Sequence, residues 1–225
     1  VVADLEAVNP VTVLAALLML LGLCLTFGRG VGALQAGHED ALPAGLWSTI
    51  CSVPGLVTIA FAGGVFEAGL GSITTAYGSQ SGLSLGAAAS LAGALGLGSF
   101  ALQYPLGWLA DHVASRRLFA LGAGVLALSG VAFAFATQWP ALIWVCATLW
   151  GAMGGALYTL SMIRVAHDFA DSSALAGTSA MIAGYTVGGS LGPLISGWAF
   201  DHVGVAGQGA WLALLAVSLL WLQGR

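Results

Sequence analysis

Two groups of side chains in this 225-residue sequence have the types and spacing to do chemistry. The first is a single acid, Glu67, set in Ala62-Gly63-Gly64-Val65-Phe66-Glu67-Ala68-Gly69. It is the only acid deep inside an apolar stretch. A carboxylate there costs at least about 2.5–3.5 kcal/mol in a membrane helix, so it faces a cavity or carries a proton. Such a residue suits a protonatable coupling site or a substrate contact, and the plainer alternative is a protonated acid hydrogen-bonded between helices. The second group is Asp111, His112, Arg116 and Arg117, packed into the short stretch after Gly107. An acid and several cations in so short a turn can form a charge latch, or can simply anchor the turn among lipid headgroups.

The elements that position these groups are apolar. The chain is 59% hydrophobic and 6% charged, with mean hydropathy +0.97. A soluble surface needs about 25% charged residues, so an integral membrane protein is expected. Apolar runs of about 18 or more residues read as membrane helices. Seven are present, at roughly 9–27, 50–75, 84–110, 118–136, 139–163, 174–199 and 207–224. The first is short enough to resemble a signal peptide, but Asp4 and Glu6 precede it where positive charge belongs. Counted from Ser48 at about 1.5 Å per residue, Glu67 lies roughly 28 Å along its helix, past the middle toward the outer side.

Loop charge sets the expected orientation. With alternating spans, Arg29, Arg116, Arg117, Arg164 and Arg225 all fall on one side, and cytoplasmic loops carry the excess of basic residues. Loops 28–46, 111–117 and 164–173 are therefore expected inside, and 76–83 and 200–206 outside. The 34 glycines are patterned: Gly184, Gly188 and Gly192 recur every four residues, Gly151, Gly154 and Gly155 cluster, and so do Gly93, Gly96 and Gly98. Small residues on one face let membrane helices approach closely, as helices that rock against one another require.

Composition removes several function classes. A net charge of −4 without any lysine lacks the cationic footprint of a nucleic-acid binder. A retinal Schiff base needs a lysine. Neither a zinc H-E-x-x-H nor a G-x-S-x-G elbow occurs. His38, His112, His167 and His202 all sit in loops, and Cys24, Cys51 and Cys146 lack metal-ligand spacing, so no metal or other cofactor is expected. An intramembrane enzyme or a heptahelical receptor-like protein remains the alternative to a transporter.

Gly107-x-Leu109-Ala110-Asp111-x-Val113-x-x-Arg116-Arg117 resembles the G-x-L-A-D-R-x-G-x-R-R signature of the major facilitator superfamily, found in the turn between the second and third helices of each six-helix half. It departs at His112, where the family has Arg or Lys, and at Ala114, where it has Gly. Gly188-x-x-x-Gly192-Pro193-x-x-x-Gly197, followed by Asp201-His202-x-Gly204, is similar to the glycine-proline pattern of the fifth helix of a half, best known from antiporters and so pointing to efflux. The fourth helix of the six lacks the arginine usual in first halves. The resemblance therefore implies an all-α integral membrane protein in which 1–27 is the last helix of a truncated N-terminal half, 28–46 a cytoplasmic linker and 47–225 the C-terminal six-helix bundle. It implies a secondary transporter, not an enzyme. A small solute would move by alternating access, coupled to protons, across a bacterial inner (plasma) membrane. The partners expected are the bilayer, the solute, protons and the missing half. Gly107, Asp111, His112, Arg116 and Arg117 would form the latch, and Glu67 the coupling or substrate site. Tyr77, Gln103, Tyr104, Tyr158 and Tyr185 are candidates for pocket lining, and Gly188, Gly192, Pro193 and Gly197 for helix packing.

Overall fold

A computed structural model describes residues 45–169 and 174–223. The expected span 9–27, the linker to residue 44, Arg29, His38 and Cys24 lie outside these residues. The described chain is helical, with no strand among the described residues. A short α1 (Leu46–Ser52) leads to α2 (Pro54–Gly64), a π-helical turn (Val65–Gly69) and α3 (Gly71–Gln80). Then follow α4 (Leu85–His112), α5 (Ser115–Phe133) and α6 (Ala141–Asp168). The last run, Ala174–Gln223, contains Gly204 at φ 73° and ψ −161°. No helix passes through that conformation, so the run is two helices, α7 (174–203) and α8 (205–223).

Among the described residues, four helical runs are long and apolar enough to cross a membrane, or five if the bent pair α1 and Pro54–Gly69 counts as one. The 48 residues of Ala174–Trp221 count once in that tally, although they would reach about 70 Å if straight, more than twice a ~30 Å hydrocarbon core, and Gly204 divides them in two.

The expected span 50–75 is corrected at both ends. Pro54 opens α2 at a first-turn position that needs no N–H donor, and the chain bends by 98° between α1 and the helix after it. Trp47 in α1 is 76% exposed, the habit of an interfacial aromatic. Hydropathy summed across the bend merged two directions into one segment. The helical run holding Glu67 therefore begins at Pro54 and continues to Gln80. Glu67 lies about 20 Å into a run of about 40 Å, at its middle and not toward the outer end.

Helix ends follow local rules. Ser84 caps α4 by accepting from the Ala87 N–H at 3.3 Å. Gly82, at φ 84°, turns the chain between α3 and α4. The core holds Phe66, Leu70, Leu91, Leu126, Phe133, Trp150 and Leu157, all fully buried. The Trp150 Nε1–H donates to Ser129 Oγ at 2.9 Å, so a large side chain enters the core without an orphaned donor. Phe100, Tyr104, Leu128, Leu194 and Trp221 point outward, as they do on a lipid-facing surface.

The glycines divide sharply. A β-carbon on Gly151 would overlap the carbonyl oxygen of Leu95, and one on Gly98 that of Thr148, where α4 crosses α6. One on Gly64 would overlap the carbonyl of Tyr185, and one on Gly188 that of Phe61, where α2 crosses α7. Gly93, Gly96 and Gly107 meet nothing within 4 Å. Gly192 packs on Gly69, whose own β-carbon would sit 3.2 Å from Pro193 Cδ, whereas Gly197 meets only Ile73, at 3.7 Å.

These contacts form pairs. Leu95 and Gly98 match Tyr185 and Gly188, each 90 positions on, while Phe61 and Gly64 match Thr148 and Gly151, each 87 positions on. The remaining pair of helices repeats the relation: a β-carbon on Gly130 would lie 2.7 Å from Ala213 N, and one on Gly209 would lie 3.0 Å from Ala134 N. The bundle is thus two copies of one three-helix unit, 54–133 and 141–223, related by a pseudo-two-fold. An odd number of crossings in each unit turns the second copy over, as in inverted-repeat membrane folds.

Candidate functional site

Glu67 lies inside the π-helical turn Val65–Gly69. A π turn swings its residues out of helical register and recurs at functional positions. Glu67 is half-buried. From α4, Ser99 Oγ donates to Glu67 Oε1 at 2.5 Å. From α7, the Tyr185 hydroxyl donates to Oε2 at 3.2 Å. From α6, Gly155 leaves the room: a β-carbon there would come within 2.6 Å of Ser99 Oγ and 3.0 Å of Glu67 Oε2. Ser99 and Gly155 both stand at the middle of 28-residue helices. Four elements therefore meet around one carboxyl group at mid-height.

The rings of Tyr185 and Tyr158 lie 4.5 Å apart, so one candidate lining residue touches the acid and a second packs on the first. Gln103, one helical turn beyond Ser99 on α4, accepts from Thr159 Oγ1 at 3.1 Å. Tyr77 sits elsewhere. It packs against Phe133 and Phe200, ring centroids 5.2 and 5.6 Å away, and lines a cavity of about 390 Å³ with Gln80, Thr137 and Pro140. Tyr104 is 85% exposed on the bundle surface. Ser99 was not among the residues singled out from sequence. A lone serine in an apolar helix carries no signal until its neighbour is known.

The chemistry available to the cluster is proton exchange on a carboxyl group. When Glu67 is ionised, two hydroxyl groups donate to it. When it is protonated, its own O–H can donate to Ser99 Oγ, because a hydroxyl both gives and accepts. Neither state leaves a buried polar atom stranded.

At one end of the bundle, Asp111, His112, Arg116, Arg164 and His167 line a single open groove of about 780 Å³ with Gly55 and Ser115. Arg164 pairs with Asp168 at 2.7 Å. Asp111, Arg116 and Arg117 are exposed and have no ion pair among the described residues. Asp111 stands one residue from the C-terminus of α4, where the negative end of the helix macrodipole opposes an acid. Arg164 and His167 join this groove from α6. The 390 Å³ cavity lies at the opposite end, where α3, α5, α6 and α7 have their other termini.

A family model described as Major Facilitator Superfamily matches residues 56–223. That match runs from α2 to the end of α8 and takes in both repeats and Glu67. The chain belongs to the major facilitator superfamily. It is an integral membrane protein of a transporter superfamily. No curated protein and no solved structure matches the chain. Within this superfamily member, the repeat relation places Glu67 opposite Gly154, and a β-carbon on Gly154 would lie 2.8 Å from the Glu67 backbone nitrogen.

Proposed function

We propose that residues 54–223 form one six-helix half of a proton-coupled secondary transporter and that Glu67 carries the coupled proton. The observation behind this reading is the half-buried carboxyl at mid-height, held by Ser99 and Tyr185. A partly exposed acid is costly against lipid. Water or a second bundle must cover it, and the shared midplane site of two rocking halves supplies both. The glycine crossings lie within this half and bring its helices into close contact, so that it can rock as one body against the other half.

In this reading Asp111, His112, Arg116 and Arg117 latch the cytoplasmic face, with Gly107 allowing approach. Tyr158, Tyr185 and Gln103 extend the surface from Glu67 toward the solute. Residues 1–27 would belong to the other half, and 28–46 would link the two. The solute is small, and the glycine-proline pattern of α7 favours efflux.

Glu67→Gln tests the reading. It keeps the shape and one of the two acceptor contacts, because an amide has a single acceptor oxygen where the carboxyl has two, and it cannot release a proton. In membranes containing the complete transporter, solute exchange should persist while accumulation driven by a proton gradient is lost. Retention of full gradient-driven transport with an unchanged pH profile would make Glu67 a structural hydrogen-bonding residue.

A further inference from the structure

The end of α4 and the end of α7 carry the same seven-residue cap. Gly107-Trp108-Leu109-Ala110-Asp111-His112-Val113 matches Gly197-Trp198-Ala199-Phe200-Asp201-His202-Val203 at five positions, 90 residues apart. The geometry repeats as well. His112 Nδ1 lies 2.8 Å from the Trp108 carbonyl, and His202 Nδ1 lies 2.9 Å from the Trp198 carbonyl. The His112 ring stacks on Trp108 at 4.4 Å and 26°, and the His202 ring on Trp198 at 4.7 Å and 27°. In each cap the imidazole Nδ1–H donates back to the carbonyl four residues earlier, in the last turns of its helix.

The two caps sit at opposite ends. Asp111 and His112 line the groove that also holds Gly55 and Arg164. Phe200, inside the second cap, lines the cavity that holds Gln80 and Thr137. Each cap exposes an aspartate, Asp111 or Asp201, close to the negative end of a helix macrodipole. Neither acid has an ion pair among the described residues. An acid in that place disfavours its own helix, so local stability does not account for having it at both ends. The positively polarised N-terminus of another helix would complement it.

We propose that Gly197–Val203 is a second docking cap, the extracytoplasmic counterpart of Gly107–Val113, and that its partner is a helix N-terminus of the transporter's other half. The caps are then used in turn. Asp111 engages when the cytoplasmic side is closed, and Asp201 engages when the outer side is closed. What differs is the surround: Arg116 and Arg117 follow the first cap, while Val205, Ala206 and Gly207 follow the second. The shared part is the stacked Trp–His pair and the acid. This proposal rests on the half-transporter reading above.

The test uses reporter cysteines at Ser115, in the inner groove, and at Thr137, in the outer cavity, with native cysteines replaced, in membranes from cells expressing the complete transporter. Asp111→Asn should raise labelling at 115 relative to 137. Asp201→Asn should move the same ratio the other way. Each shift should be about two- to fivefold, the factor set by one charge at a helix end, and Asp201→Glu should restore the parent ratio. Both asparagine variants should melt no lower than the parent, because they relieve an unfavourable helix-end charge. A shift with Asp111→Asn and none with Asp201→Asn overturns the second cap and leaves Trp198 and His202 as an interfacial anchor. No shift with either variant overturns the latch itself, and the second cap with it.

Discussion

Glu67 and Gly154 occupy equivalent positions in the two three-helix repeats and pack directly against each other. A β-carbon on Gly154 would lie 3.0 Å from Glu67 Cβ. At the pseudo-axis the two copies cannot both carry a side chain. One has become the acid, and the other has to be glycine. The neighbouring pair shows the same division, with Ser99 Oγ against Gly155 in one copy and Ala68 Cβ against Gly189 in the other.

Gly155→Ala tests how the carboxyl is held. The added methyl meets Ser99 Oγ, a rotatable group, and not backbone. The fold should survive, while the Ser99–Glu67 hydrogen bond is lost at a cost of about 1–3 kcal/mol. Thermal melting in detergent should drop modestly, and proton-driven transport should fall more than solute exchange. Equal falls in both activities would point to a packing defect alone.

Ser99→Ala and Tyr185→Phe separate the two donors. Ser99 makes the shorter contact, 2.5 Å against 3.2 Å. Removing it should change proton-coupled transport more than removing the tyrosine hydroxyl. Ser99→Thr keeps a hydroxyl and should rescue much of the loss. The pH profile of transport is the readout, and a larger shift with Tyr185→Phe would reverse the assignment.

The glycine contacts predict two groups of alanine variants. At Gly64, Gly98, Gly151 and Gly188 the obstacle is a backbone carbonyl on a facing helix. Alanine must push the helices apart there, a loss of about 2–4 kcal/mol by analogy with overpacked and strained cores. At Gly93 and Gly96 nothing lies within 4 Å, so alanine should be neutral or slightly stabilising. Melting temperatures of purified variants decide the matter.

Loss of Trp150 should be severe. Trp150→Phe removes the donor to Ser129 and leaves space beside Phe133, whose ring centroid is 5.0 Å away. A cost of about 1–3 kcal/mol is expected, and Trp150→Ala should cost about 3–5 kcal/mol. Paired with Ser129→Ala, the phenylalanine variant should lose less than the sum of the single changes.

Much of this architecture was legible in the sequence. Apolar runs located α4 to α8 to within a few residues, because burial in lipid demands long uninterrupted apolar stretches. Hydropathy did not find the bend before Pro54, since apolar residues flank it on both sides. That error displaced Glu67 from the centre of its helix. Glu67 itself stood out as the lone deep acid, but its partners Ser99 and Tyr185 come from helices distant in sequence. The twin Gly-Trp-x-x-Asp-His-Val caps were readable in principle. Comparing the chain with itself at an offset of 90 would have exposed them, whereas scanning for motifs one at a time separates them.

The inverted repeat also bears on how the nascent chain chooses its direction. Two units that share one contact pattern, one upside down, bring similar helix packing toward either membrane face. Its backbone offers the insertion machinery almost no preference. What breaks the tie is a handful of guanidinium groups: Arg116, Arg117 and Arg164 crowd one end, and the repeat-equivalent positions after His202 carry none. Positive charge is held back from translocation. Moving two arginines from the α4–α5 turn to the α7–α8 turn would therefore leave three of the five on the first side and two on the other, and the share of chains inserted with their ends exchanged, read by labelling cysteines at 115 and 137 from each side, should rise.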